Sequence, residues 1–260
     1  MFPLKDDIPT RRFPVLTVSI IVICCAVYFF FEQGFWDLGA TGDERVLEFG
    51  AIPYEITHPG DECGAAAGQV VCEGQAGVQG TAPDQAPWWV TIFTSMFMHG
   101  SLLHLGGNML FLWIFGNNIE DSMSAFRFAA FYLLGGLVAL GAQVLADPNA
   151  AVPTVGASGA IAAVLGGYAL LYPRARVITL IFIVIFFTVI ELPALLVLGL
   201  WILMQLALGT SELAQPLAGG GGGVAYFAHI GGFVFGLAMI KLFANQVHDD
   251  YERAHRLPVY

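Results

Sequence analysis

The chain has 260 residues, of which 57% are hydrophobic and only 12% charged, and its mean hydropathy is +0.72. A soluble domain of this length cannot hide that much apolar surface, so the composition points to a polytopic membrane protein embedded in a lipid bilayer. A formal charge of -10 offers none of the basic patches that nucleic acid requires, and no nucleic-acid partner is expected.

Lys5, Arg11 and Arg12 precede an apolar stretch that ends in "FFFEQGF" without a small-residue cleavage site, which predicts an uncleaved first span. Six spans are predicted, at roughly 14–31, 91–116, 125–146, 158–172, 192–209 and 224–243. The fold class expected is therefore all-α, a six-helix membrane bundle. It divides into a cytoplasmic N-terminus (1–13), a membrane domain (14–243) and a cytoplasmic tail (244–260). Loop one, roughly 32–90, is long, acidic and glycine-rich and ends at the interfacial pair Trp88-Trp89. Cys24 and Cys25 pack within the first span, whereas Cys63 and Cys72 lie in loop one and can pair only if it faces an oxidising compartment.

The basic residues set the orientation. Lys5, Arg11, Arg12, Arg127, Arg174, Arg176, Lys241, Arg253 and Arg256 all fall on one side if both termini are cytoplasmic, and only Arg45 falls outside. The apolar run 177–209 is too long for one upright span and too short for two. "ELP" at 191–193 reads as a helix start, and the β-branched and aromatic residues 177–190 read as an interfacial segment on the cytoplasmic side. The fourth span is short. Ser158 to Tyr172 covers ~22 Å against ~30 Å of hydrocarbon, so this helix starts below the outer surface, after the turn Asp147-Pro148-Asn149.

Polar side chains within spans are costly and point to function. Span two carries His99, His104 and Asn108, span four carries Ser158, and span six carries His229. Counted from the cytoplasmic ends, Ser158 and His104 lie ~24 Å up, and His229 and Asn108 ~18 Å up. The four share one layer in the outer half of the bilayer. Irregular backbone at that depth survives only in protein or beside a water-filled cavity. Glycines 159, 166 and 167 on span four, and 231, 232 and 236 on span six, permit close helix approach.

A buried serine beside a histidine suggests a nucleophile with a general base. Neither lysine, Lys5 nor Lys241, lies at the serine's depth, so His229 is the base. No carboxylate lies in the layer unless span five begins early enough to include Glu191, so a catalytic dyad is expected. The Ser158 N–H at a helix start, with His104 and Asn108, supplies oxyanion donors. Taken singly, such a serine is ordinarily an N-cap and such a histidine a packing residue; the shared depth separates the catalytic reading from these. His99 reads as structural, and His58, His248 and His255 as solvated. No HExxH occurs, and no metal or cofactor is expected.

At these residues the sequence resembles the rhomboid family of intramembrane serine proteases. "HGSLLHLGGN" resembles the family's His-x4-His-x3-Asn, "GASG" (Gly156–Gly159) its nucleophile motif, and "AHIGG" (Ala228–Gly232) its base motif, over about 90–245. The resemblance implies Ser158 as nucleophile, His229 as base, and His104, Asn108 and the Ser158 N–H as the oxyanion site. His99, Gly156, Gly159 and Gly232 are structural residues near it. It implies an integral multi-pass protein, in a prokaryotic plasma membrane, with cytoplasmic termini and a site opening outward. Its substrates would be transmembrane segments of other membrane proteins. Gly116 and Glu120 match part of a Gly-x3-Glu-x3-Gly motif whose third place is Ser124 here. Trp88-Trp89 stands where some members have Trp-Arg, and Ala162 where some carry a tyrosine that stacks on the base. Tyr226, Phe227 or Phe233 is then expected to orient His229. The alternative reading is a non-catalytic rhomboid-like protein that binds transmembrane helices. A metal-binding protein using His99, His104 and His229, and a transporter, are further rivals; the sequence shows neither repeats nor paired charges in its spans.

Overall fold

The computed structural model describes residues 2–33, 42–66, 69–75, 78, 80, 82, 85–183, 186–214 and 224–245. The glycine loop 219–223, residues 246–260 of the tail, and with them His248, Arg253, His255 and Arg256, lie outside the described residues. In chain order the elements are β1 (Phe2–Asp6), α1 (Val15–Ala26, continuing as π turns Val27–Glu32), α2 (Gly42–Phe49), α3 (Pro53–Thr57), β2 (Cys63–Ala66) and β3 (Gln69–Cys72). Then follow α4 (Trp88–Thr94, with a 3-10 turn Ser95–Phe97), α5 (Leu102–Phe111), a π turn (Leu112–Gly116) and α6 (Asn117–Asp121). The remainder is α7 (Ala125–Ala146), α8 (Ser158–Leu171), β4 (Arg176–Ile183), β5 (Phe186–Pro193), α9 (Ala194–Ala214) and α10 (Tyr226–Phe243). Among the described residues four helices are long and apolar enough to cross a membrane: Val15–Glu32, Ala125–Ala146, Ala194–Ser211 and Tyr226–Phe243. Trp88–Phe97 and Ser158–Leu171 are shorter apolar helices.

The short helix α8 is the hub. It is apolar all round, and every residue except Ser158, Ala169 and Leu170 is buried, as a helix enclosed by others must be. Small residues let its neighbours close on it. A Cβ at Gly236 of α10 would lie 2.0 Å from Ala163 O, one at Gly166 2.1 Å from Phe233 O, and one at Gly135 of α7 2.5 Å from Ala163 Cβ. Each such contact depends on the missing side chain.

Three expectations need correction. The fold is mostly helical but not all-α. The run 177–190 forms the β4–β5 hairpin, and β1 pairs antiparallel with β4 to give a sheet of order β1-β4-β5. Its β-branched and aromatic content suits a strand, and pairing satisfies backbone groups that an unpaired interfacial segment would leave open. Span five begins at Ala194: Glu191 and Pro193 close β5, and Glu191 meets Arg176 at 3.5 Å, so it takes no part near Ser158. Span two is not continuous from 91 to 116. The chain breaks between Phe97 and Leu102, and Ser101 caps α5 by accepting from the His104 N–H at 3.1 Å. His99 therefore sits in a turn.

Opposite ends of the molecule are fastened differently. At one end Glu120 accepts from the N–H groups of Leu16 (2.9 Å) and Thr17 (2.8 Å) and from Thr17 Oγ1 (2.8 Å), satisfying free donors at the start of α1. Ser124 caps α7 through the Arg127 N–H. Arg12 pairs with Asp121 at 3.1 Å, and Arg127 donates to Phe243 O and Asn245 Oδ1. Asp6 is buried there and accepts from Asn118 Nδ2 and Tyr168 OH, both at 2.6 Å; burial pushes its carboxyl up to about 7. At the other end Cys63 and Cys72 form a disulfide across β2–β3. Burial pushes the Glu55 carboxyl beside it up to about 6, although it accepts from the Cys63 N–H. Arg45 is buried with its guanidinium 4.5 Å over the Phe31 ring.

Candidate active site

The segment before α8 is tied to loop one and to the turn at Ser95. Ala51 and Thr154 exchange backbone hydrogen bonds of 3.2 and 2.7 Å. The Tyr54 N–H donates to Ala150 O, Thr57 Oγ1 to Pro148 O, and the Gly156 N–H to Ser95 O at 2.8 Å. Gly156 has φ +125°, which favours glycine, and a Cβ there would lie 2.8 Å from the His104 ring edge and 3.5 Å from Ser158 Oγ. Glycine thus lets the backbone pass between His104 and the serine. The chain then turns into α8 with Ser158 as its first residue, so the Ser158 N–H is one of the four with no partner inside the helix.

Ser158 Oγ lies 2.8 Å from His229 Nε2 of α10. This spacing depends on the glycines beside it, since a Cβ at Gly232 would fall 2.1 Å from Gly159 O. Gly159 itself faces α7, where a Cβ would meet Ala139 Cβ at 2.7 Å. His229 is buried, and the far side of its ring is occupied. Nδ1 lies 2.8 Å from Gln205 Oε1, and the Trp201 ring sits 5.6 Å away, tilted by 40°. Trp201 and Gln205 are four residues apart on α9 and so share a face.

Here the structure departs from the expected orienters. Tyr226 and Phe227 lie towards Gly209 of α9, and Phe233 packs on Trp201 at 6.3 Å between ring centres. Gln205 and Trp201 are the residues that sequence reasoning missed. The signal was present, because Gln205 is a lone amide in the apolar run "LWILMQLALG".

His104 and Asn108 lie one turn apart on α5. Asn108 is buried, and its Nδ2 has no hydrogen-bond partner among the described residues. His99 is fully buried in the break before α5, and its ring meets that of His104 edge-on at 5.2 Å. Its backbone N–H donates to both carboxylate oxygens of Glu32, at 3.0 and 3.1 Å. Glu32 therefore braces the turn and stands outside the Ser158–His229 pair. Among the described residues no group of three or more His, Cys, Asp or Glu converges as metal ligands would.

A family model, the rhomboid domain, matches residues 86–246, more than half of the chain. The mitochondrial rhomboid protein 1 of Saccharomyces cerevisiae is 32% identical over 57% of this chain and 40% of its own length. The rhomboid protease GluP of Bacillus subtilis is 38% identical over 34% of this chain and 16% of its own. The mouse mitochondrial presenilin-associated rhomboid-like protein is 33% identical over 35% of this chain and 25% of its own. The chain thus spans less than half the length of these curated relatives.

Proposed function

This chain belongs to the rhomboid family, and we propose that it is an intramembrane serine endopeptidase that cuts transmembrane segments of other membrane proteins. The observation that carries this reading is the 2.8 Å contact between Ser158 Oγ and His229 Nε2. At that distance the imidazole takes the hydroxyl proton as Oγ attacks the scissile carbonyl carbon. The resulting oxyanion is received by the Ser158 N–H, Asn108 Nδ2 and the His104 ring. The unpaired amide of Asn108 supports its part, since a buried donor without a partner is costly unless it serves a transient one. As the intermediate collapses, the C–N bond breaks and His229 passes its proton to the leaving amine. Water then attacks the acyl-serine carbon, giving its proton to His229; the bond from that carbon to Oγ breaks, His229 returns the proton to Oγ, and the carboxyl product leaves.

The same reading includes a bundle of six spans, with α5, its π turn and α6 together as the second and α8 as the fourth. The 14 residues of α8 reach ~21 Å, so its start with Ser158 lies inside the outer leaflet, where the segment 147–157 descends to meet it. Both termini face the cytoplasm and the site opens outward. The clustering of Arg12, Arg127 and Arg176 away from loop one supports that orientation. The loop-one disulfide suits an oxidising outer side. A substrate helix must unwind to present its carbonyl, so cuts fall near helix-weakening residues.

The test is cleavage of a reporter transmembrane substrate in liposomes. Ser158→Ala abolishes cleavage while leaving helix content and thermal midpoint unchanged; full cleavage by this variant refutes the assignment. A chain that binds the reporter without cutting it supports the non-catalytic alternative.

A further inference from the structure

We infer that Gln205 is the positioning residue of the catalytic base, completing a Ser158–His229–Gln205 relay with a neutral amide in the third place. The inference rests on the protease reading above. An amide oxygen can only accept a hydrogen bond, so the 2.8 Å contact of Gln205 Oε1 with His229 Nδ1 requires the hydrogen on Nδ1. Neutral imidazole carries one such hydrogen, so Nε2 is left with its lone pair facing Ser158 Oγ at 2.8 Å. That is the tautomer a general base needs. If Nδ1 had no acceptor behind it, the hydrogen could sit on Nε2 and the ring would be unable to take the serine proton.

The site is built for this contact. Gln205 is 3% exposed and His229 is 8% exposed, so the contact between Nδ1 and Oε1 is shielded from bulk water. A buried amide in an apolar stretch of helix is costly unless bonded, and His229 is the partner the structure gives it. Trp201, one turn earlier on α9, packs against the imidazole and limits its rotation. During attack the Oγ–H bond breaks, a new Nε2–H bond forms, and Oγ bonds to the carbonyl carbon. Nδ1 keeps its hydrogen throughout, Gln205 neither gains nor loses a proton, and its carbonyl dipole stabilises the imidazolium that forms.

The experiment compares the rate of labelling by a fluorophosphonate probe in wild type, Gln205→Met and Gln205→Glu, all in the full chain in detergent. Methionine keeps the length but offers no comparable acceptor, whereas glutamate keeps Oε1. Gln205→Met is expected to label about 100-fold more slowly, a typical share of general-base catalysis. Gln205→Glu is expected to stay within about ten-fold of wild type, because a carboxylate accepts from Nδ1 as well as an amide does. Equal loss in both variants makes Gln205 a packing residue and overturns the inference, as does wild-type labelling by Gln205→Met. A wild type that does not label at all refutes the nucleophile reading, and the relay with it. Nitrogen NMR of the histidine-labelled wild type, with His229 identified by His229→Asn, reads the tautomer without altering Gln205. Hydrogen on Nδ1 is expected, and hydrogen on Nε2 overturns the inference even if a variant fails to fold.

Discussion

Gly232→Ala tests whether helix spacing sets the catalytic geometry. A methyl at this position would lie 2.1 Å from Gly159 O, against an ordinary carbon–oxygen contact of about 3.3 Å. Both partners are main chain on packed helices, so α8 and α10 must separate locally by about 1.2 Å. Gly232 is three residues from His229 and Gly159 adjoins Ser158, so the separation acts directly on the pair. The 2.8 Å contact of Oγ with Nε2 then lengthens to about 4.0 Å, beyond any hydrogen bond. A misplacement of about 1 Å costs on the order of 100-fold in rate. Overpacking costs about 1–3 kcal/mol in stability, so a folded chain that labels slowly is expected. Fluorophosphonate labelling rate and thermal midpoint are measured beside Gly141→Ala, where nothing lies within 4 Å of the added carbon and no effect is expected. Wild-type labelling at an unchanged midpoint by Gly232→Ala would show that the spacing does not control the pair.

Asn108→Ala is expected to lower turnover by about 10²–10³-fold without abolishing it, because other oxyanion donors remain; an unchanged rate removes Asn108 from that site. Cutting the Cys63–Cys72 link by Cys72→Ser or by reduction frees a loop closed over a sequence separation of nine, worth about 3 kcal/mol in chain entropy. Limited proteolysis within loop one should then accelerate, and an unchanged nicking rate shows that the disulfide does not hold that loop. Asp6 gives a pH dependence of definite sign. Its carboxyl is raised from 3.8 to about 7, chiefly by burial, so the folded chain binds more protons between those values. Stability therefore falls as pH rises through that window and levels off above it. Asp6→Asn should flatten the slope between pH 6 and 7, while Glu55, raised to about 6, still contributes a slope of the same sign below that; an unaltered profile in the variant refutes the assignment to Asp6.

Much of the helical frame was legible because apolar runs bounded by Pro, Gly and basic residues leave few alternatives. The sequence predicts span three at 125–146, and α7 occupies Ala125–Ala146. The short helix was read at 158–172 and α8 ends at Leu171, since the Gly/Pro segment before it and Pro173 after it leave no room for more. The strands were missed for a physical reason. An apolar hairpin and an apolar helix segment carry the same composition, and one of the two partners of β4, β1, lies more than 170 residues away. The break after Phe97 was missed because Gly100 and Ser101 are tolerated within membrane helices as well as between them. Gln205 went unread for another reason. The layer of polar residues counted by depth takes in spans two, four and six, not span five, and an amide behind the base shows its purpose only when α9 and α10 are seen side by side.

The most direct measurement is peptide mapping by mass spectrometry of the chain treated with a fluorophosphonate in liposomes. A single adduct on Ser158 is predicted, absent from Ser158→Ala and strongly reduced in His229→Ala. An adduct on another residue, or substrate cleavage by the treated chain without any labelling of Ser158, would contradict the account.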